Sequence, residues 1–149
     1  MNKWSHLPNA KHIDWVLQSV NANLDTWVNA WTAAKPVVGI AAWHSARAAV
    51  LLAIWDAGRE EAWDAAWIGT RGAVRSTAWE ATWKAVREAT WKAARGSLRA
   101  LIAYDDCEKY LNMSYEELLM WNKLDPHPAC VLLLPYLFVK ELTKEVDLV

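Results

Sequence analysis

The chain has 149 residues, of which 22% are charged, and a formal net charge of -1. That length suits one domain with a sizeable core, and the balanced charge leaves no global field to hold a polyphosphate backbone, so a nucleic-acid binder is disfavoured. The two cysteines, Cys107 and Cys130, have neither CxxC spacing nor a companion histidine cluster. They fit a reducing compartment and give no signal for a metal or a cofactor.

The opening MNKWSHLPNAKHIDW has no apolar stretch behind its lysine, which argues against a secretory leader. The longest uncharged apolar run, Ala129 to Val139, is too short to span a bilayer. A cytoplasmic protein with no membrane partner is expected. Alanine is abundant, apolar residues recur at three and four, and β-branched alternation is missing, so the fold class is all-α.

In chain order, Asn9 is expected to cap a helix from about Ala10 to Val20, and a second helix covers Leu24 to Ala34 before Lys35-Pro36 stops it. Two long runs follow, Val37 to Ile68 and Ala73 to Tyr104. The GTRG between them, Gly69 to Gly72, is expected to turn the chain into an antiparallel hairpin. Ser114 stands three residues before Glu117, the pattern of a capping box, with Met113 and Leu118 as a hydrophobic staple. That helix should end near LDPHP, where Asp125 and Pro126 begin another element. The apolar ACVLLLPYLFVKEL beyond it reads as a buried helix kinked or broken at Pro135. The expectation is therefore a single all-helical domain over 1–149. N-terminal helices fill 1–36, the Ala/Trp-rich hairpin 37–104 and C-terminal helices 105–149, packed as a bundle.

A four-residue register runs through the chain. Numbered modulo four, Trp15, Trp27, Trp31, Trp43, Trp55, Trp63, Trp67, Trp79, Trp83 and Trp91 share one class, and so do Arg47, Arg59, Arg71, Arg75, Arg87, Arg95 and Arg99. The next class carries Asp56, Glu60, Asp64, Glu80, Lys84, Glu88 and Lys92, and the remaining two are mostly small. Tandem duplication of a four-residue unit accounts for the period without selection on chemistry. Four residues advance a helix by about 400°, so the stripe drifts roughly 40° per unit and some members must face the core. On that projection Trp43, His44, Arg47, Leu51, Ile54, Trp55 and Ala62 share one apolar face, and Trp79, Trp83, Arg87 and Trp91 share another. Arg59, Arg71, Arg75, Arg95 and Arg99 fall at edges or toward solvent. Arg47 and Arg87 then require a partner, either an internal carboxylate or an anion from outside, because an unpaired buried guanidinium is expensive.

Tryptophan offers flat area, and arginine a planar cation that stacks on it and grips phosphate with two parallel hydrogen bonds. Together they suit a small molecule with an aromatic base and a phosphate. The plainer alternative is that most of the tryptophans fill a core otherwise built from alanine. The candidate ligand-binding residues are Arg47 and Arg87 for phosphate, with His44 beside them, and Trp43, Trp55, Trp79, Trp83 and Trp91 for base stacking. Tyr104 and Asp105 join them as a polar end. His6, His12, His44 and His127 show no metal spacing, and there is neither a Gly-rich phosphate loop nor a serine in a nucleophile elbow. YDDC, Tyr104 to Cys107, is the one compact polar cluster, and two acids at a helix end are more often structural than catalytic. No enzyme is expected.

The Ala/Trp tetrapeptide units, then LRALIAYDDCEKYLNMS, then DPHPACVLLLPYLF resemble a group of small bacteriophage-encoded proteins. In those, Ala-Ala-Trp-Asp repeats run into a Leu-Ile-Ala-Tyr-Asp-Asp-Cys box and a Leu-Leu-Leu-Pro segment. The resemblance covers about Trp55 to Phe138 and breaks at WIGTRGAVRST, where glycines interrupt the units. It implies a phage accessory protein acting in the cytoplasm of an infected bacterium. Within that class the Trp/Arg composition suits a homo-oligomeric sponge that sequesters a nucleotide-derived immune signal, such as a cyclic or modified ADP-ribose. A protein-interaction module that inhibits a host protein is the alternative. An enzyme degrading such a signal through Asp105 and Asp106 is the weaker one.

Overall fold

In the computed structural model residues 3–77 and 83–143 are described, without side chains over 70–87. The described residues form eight helices and no strand: α1 (Ala10–Ala22), α2 (Leu24–Val38), α3 (Ile40–Asp56), α4 (Glu60–Thr77), α5 (Trp83–Ala103), α6 (Glu108–Leu111), α7 (Tyr115–Leu124) and α8 (Pro128–Leu142). The all-α bundle expected from the periodicity is what the chain forms.

Its axis is α8, in which every residue from Ala129 to Leu137 is buried. A helix that is apolar on all sides needs neighbours on all sides, and α2, α3, α5 and α7 supply them. The second half of α5 is enclosed in the same way, with Ala93, Ala94 and the whole of 96–102 buried against α1, α2, α3, α4 and α8. Trp27 fills the space that alanines leave, fully buried, with its indole N–H donating to Ser19 Oγ at 3.0 Å. Burial of a ring that size contributes about 3 kcal/mol, and the hydrogen bond removes the penalty of a dry N–H.

Helix α8, expected to be kinked or broken at Pro135, is not broken there and runs through it. Proline removes the bond to the Val131 carbonyl, and the Ser97 hydroxyl donates to the adjacent Leu132 carbonyl at 2.9 Å. The α7 capping box forms as expected: Glu117 N–H donates to Ser114 Oγ, and Ser114 N–H to Glu117 Oε1, both at 3.1 Å. Helix α8 starts at Pro128, two residues beyond Pro126, with the His127 ring accepting from Ala129 N–H.

Four local expectations are corrected. Asn9 does not cap α1 with its side chain; its amide donates to the carbonyls of Leu101 and Tyr104 at 2.9 and 2.8 Å. There it satisfies carbonyls at the end of α5 that have no partner within that helix. Helix α2 continues past Lys35-Pro36 to Val38, because a proline in a last turn removes a single bond. The chain instead turns at Gly39, whose φ of +89 favours glycine. The run expected from Val37 to Ile68 is divided at Gly58, φ +68, into α3 and α4. Finally, GTRG is helical, inside α4, and the arms of the hairpin are α4 and α5. They run antiparallel, with Trp63 opposite Arg99 and Trp67 opposite both Arg95 and Trp91.

Candidate functional site

The hairpin pairs the two residue types of the register across two helices. The Arg99 guanidinium lies 4.6 Å from the Trp63 ring and that of Arg95 4.8 Å from Trp67, while the two tryptophans stack on each other at 6.1 Å. One step further along α5, Lys92 Nζ lies 5.6 Å from the Trp31 ring. These α5 cations are thus held over indole faces donated by α4 and α2.

Toward α3 the same cations line a recess with Trp43, His44 and Arg47 on one wall, Lys92, Arg95, Gly96 and Arg99 on another, and Leu132 of α8 below. No carboxylate among the described residues lines it. Gly96 allows the approach: a Cβ there would meet Trp43 Cζ2 at 3.0 Å and Leu132 Cδ2 at 3.3 Å. The Trp43 ring cannot easily retreat, since Trp31 meets it edge-on at 4.8 Å.

Like charges at such close quarters disturb one another. Burial, then Arg95, then Arg47 push the Arg99 guanidinium down to about 9, and burial followed by Arg47 lowers Arg95. Both remain charged at neutral pH. The Nε atoms of Arg47 and Arg99 are buried without a hydrogen-bond partner among the described residues. Two dry N–H donors on cations, beside Lys92 and Arg95, which form no ion pair with a described residue, form a field that favours an anion. The cavity at the centre is about 10 Å³, room for about one water. At most a single oxygen of a ligand enters it, with the rest of the ligand outside.

Of the sequence-derived candidates, Trp43, His44 and Arg47 meet here, with His44 exposed at the lip rather than on a dry face. Arg95 and Arg99, expected at edges or in solvent, are half-buried and buried. They belong to the site because the second half of α5 has no solvent face. Gly96, Lys92 and Leu132 were not candidates; the signal for the first two was their place one turn from Arg95 and Arg99. Trp55, expected on the apolar face, is 70% exposed. Trp91 packs edge-on against Trp67 at 5.1 Å and does not line the recess. Arg87 and Trp83 carry side chains outside those described, and Trp79 lies outside the described residues.

Tyr104 and Asp105 are placed elsewhere. Arg59 grips Asp105 with two nitrogens at 2.7 and 3.2 Å and also donates to the Ile102 carbonyl at 2.8 Å. That pairing holds the Asp105 carboxyl below its ordinary value. It ties the start of α4 to the end of α5 and engages both carboxylate oxygens of Asp105, with Arg59 half-buried. Tyr104 meets the His127 ring edge-on at 4.7 Å. Cys107 is fully buried, and burial pushes its thiol to about 12, so at neutral pH it is not a thiolate nucleophile. No group of three or more His, Cys, Asp or Glu among the described residues is arranged to hold a metal ion. No single described helix is long and apolar enough to cross a membrane. No protein-family model, no curated protein and no solved structure matches this chain significantly.

Proposed function

We propose that this protein binds and sequesters a small phosphate-bearing molecule at the α3–α5 recess without transforming it. In the cell this is a phage-type accessory role, a sponge for a nucleotide-derived immune signal of the cyclic or modified ADP-ribose type, acting in the host cytoplasm. The observation that carries it is the convergence of Arg47, Lys92, Arg95 and Arg99 on one recess that no carboxylate among the described residues lines. Folding such a cluster costs stability that a bound anion returns.

The role of the tryptophans differs from direct base stacking. Trp63 and Trp67 each present a ring to an arginine, and Trp43 packs against Gly96 and Trp31. They preorganise the guanidinium groups, and the anion selects the ligand. Mass spectrometry of material released by heat, after incubation with a panel of nucleotide signals, tests this reading. Intact recovery supports sequestration, and an altered product would point to an enzyme. Calorimetry in which Arg47→Ala and Arg99→Ala both keep full affinity would overturn the site.

A second reading, a surface for another protein or a second copy, is favoured by α3. Leu52 and Trp55 are 65% and 70% exposed, further along the helix than Ser45 and Ala49, which line an open apolar groove of about 420 Å³ against 126–128. Concentration-dependent association lost in Leu52→Asp supports it, and a monomer that captures no protein excludes it.

A further inference from the structure

A second cavity, of about 310 Å³, lies between α1 and α8 and is lined by Lys11, His12, Trp15, Tyr136 and Lys140. It is a different place from the α3–α5 recess, and its shape and chemistry are different too. Its walls are aromatic: Trp15 and Tyr136 meet edge to face at 5.0 Å, and Trp15 leans on Trp27 behind it at 6.3 Å. Tyr136 is 2% exposed, so Trp15, half-buried, is the ring left accessible. The Tyr136 hydroxyl lies 2.7 Å from His12 Nδ1.

Two ammonium groups complete the lining. Lys140 donates to the Leu111 carbonyl at 3.3 Å and lies 5.9 Å from the Tyr136 ring. Neither Lys11 nor Lys140 forms an ion pair with a described residue. Burial first, then Lys140 and Lys11, lower the His12 pKa, with Glu108 acting against them, so the imidazole is neutral at physiological pH and free to hydrogen-bond. A flat ring finds a partner in the half-buried Trp15, which Tyr136 backs edge-on, and an anionic substituent finds two ammonium groups. A bare inorganic anion would use only half of the site.

We propose that the α1–α8 cavity is a binding site for a small aromatic anion, a planar ring bearing one phosphate or carboxylate, no larger than a mononucleotide. The site is independent of the proposed sequestration at α3–α5, and the two stand or fall separately.

The test is a titration of the protein with phenyl phosphate, followed by the indole N–H signal of Trp15 in a proton–nitrogen correlation spectrum and assigned with Trp15→Phe. The Trp15 signal should shift saturably with phenyl phosphate. At the same concentration phenol and inorganic phosphate should shift it little. Arg47→Ala should leave the titration unchanged, whereas Lys11→Gln with Lys140→Gln should weaken it about ten-fold. Lys11→Gln alone, an exposed position whose replacement spares the fold, should weaken it about three-fold. An absent shift, equal potency of inorganic phosphate, or undiminished affinity in the lysine variants would overturn the proposal.

Discussion

Replacing Arg99 with methionine separates the two demands on the cation cluster. The guanidinium is 6% exposed and pushed from 12.5 to about 9, chiefly by burial and then by Arg95 and Arg47. Each pKa unit corresponds to about 1.4 kcal/mol, so its charge costs on the order of 5 kcal/mol at neutral pH. The sign follows from proton counts: the unfolded chain holds this proton up to a higher pH than the folded one, so the cost is fully present below about pH 9 and is relieved above it. Methionine fills similar volume without the charge and gives up the contact with Trp63, worth about 1–2 kcal/mol. The ligand-free variant should therefore be more stable by about 3–4 kcal/mol. Urea unfolding followed by far-ultraviolet dichroism in low-salt buffer measures this as a higher midpoint at unchanged slope. Pyrophosphate at ten times its Kd should then stabilise the parent by about 1.4 kcal/mol and the variant by much less. A variant that is less stable than the parent without ligand, or that gains equally from pyrophosphate, would refute the idea that Arg99 is kept for an anion.

Gly96→Ala should lower stability by about 1 kcal/mol despite alanine's better helix propensity, because the new Cβ meets a Trp43 ring already pinned by Trp31; thermal unfolding reads it. Asn9→Ala should cost about 2 kcal/mol in urea unfolding, since it strips the donors from the Leu101 and Tyr104 carbonyls. Asp105→Asn should cost about 0.5 kcal/mol, as befits a pair whose carboxylate is 53% exposed. That contribution is present above the ordinary carboxylate range and fades as pH falls through the depressed folded value; urea midpoints at neutral and acid pH compare the two. Cys107 and Cys130, both fully buried with raised thiol pKa values, should resist a disulfide reagent at pH 8 and react at once in denaturant.

Features that depend on a few neighbouring residues were legible before any packing was known. The Ser114–Glu117 box, the buried run of α8 and the all-α class rest on local hydrogen bonding and periodicity, and they form as the spacing predicts. Misplaced elements were those where local signals competed. Pro36 and Gly69 read as breakers, yet both lie within helices. The turn at Gly58 was hidden inside a stretch whose register continues across it.

The site was half legible for a related reason. Arg47 could be singled out because an apolar face flanks it in sequence. Arg95 and Arg99 were assigned to edges or solvent on the assumption that a helix buries one stripe and wets the other. That assumption fails for α5, which five helices surround.

By itself, then, the sequence determined the helical class, the local caps and the four-residue register that puts tryptophan and arginine in the same phase. Tertiary structure decided which members of that phase meet. Antiparallel pairing of α4 with α5 set Trp63 under Arg99 and Trp67 under Arg95, and the close approach of α3 at Gly96 added Arg47 to the same recess. Burial depends on what surrounds a helix, and no periodicity within one helix encodes its neighbours.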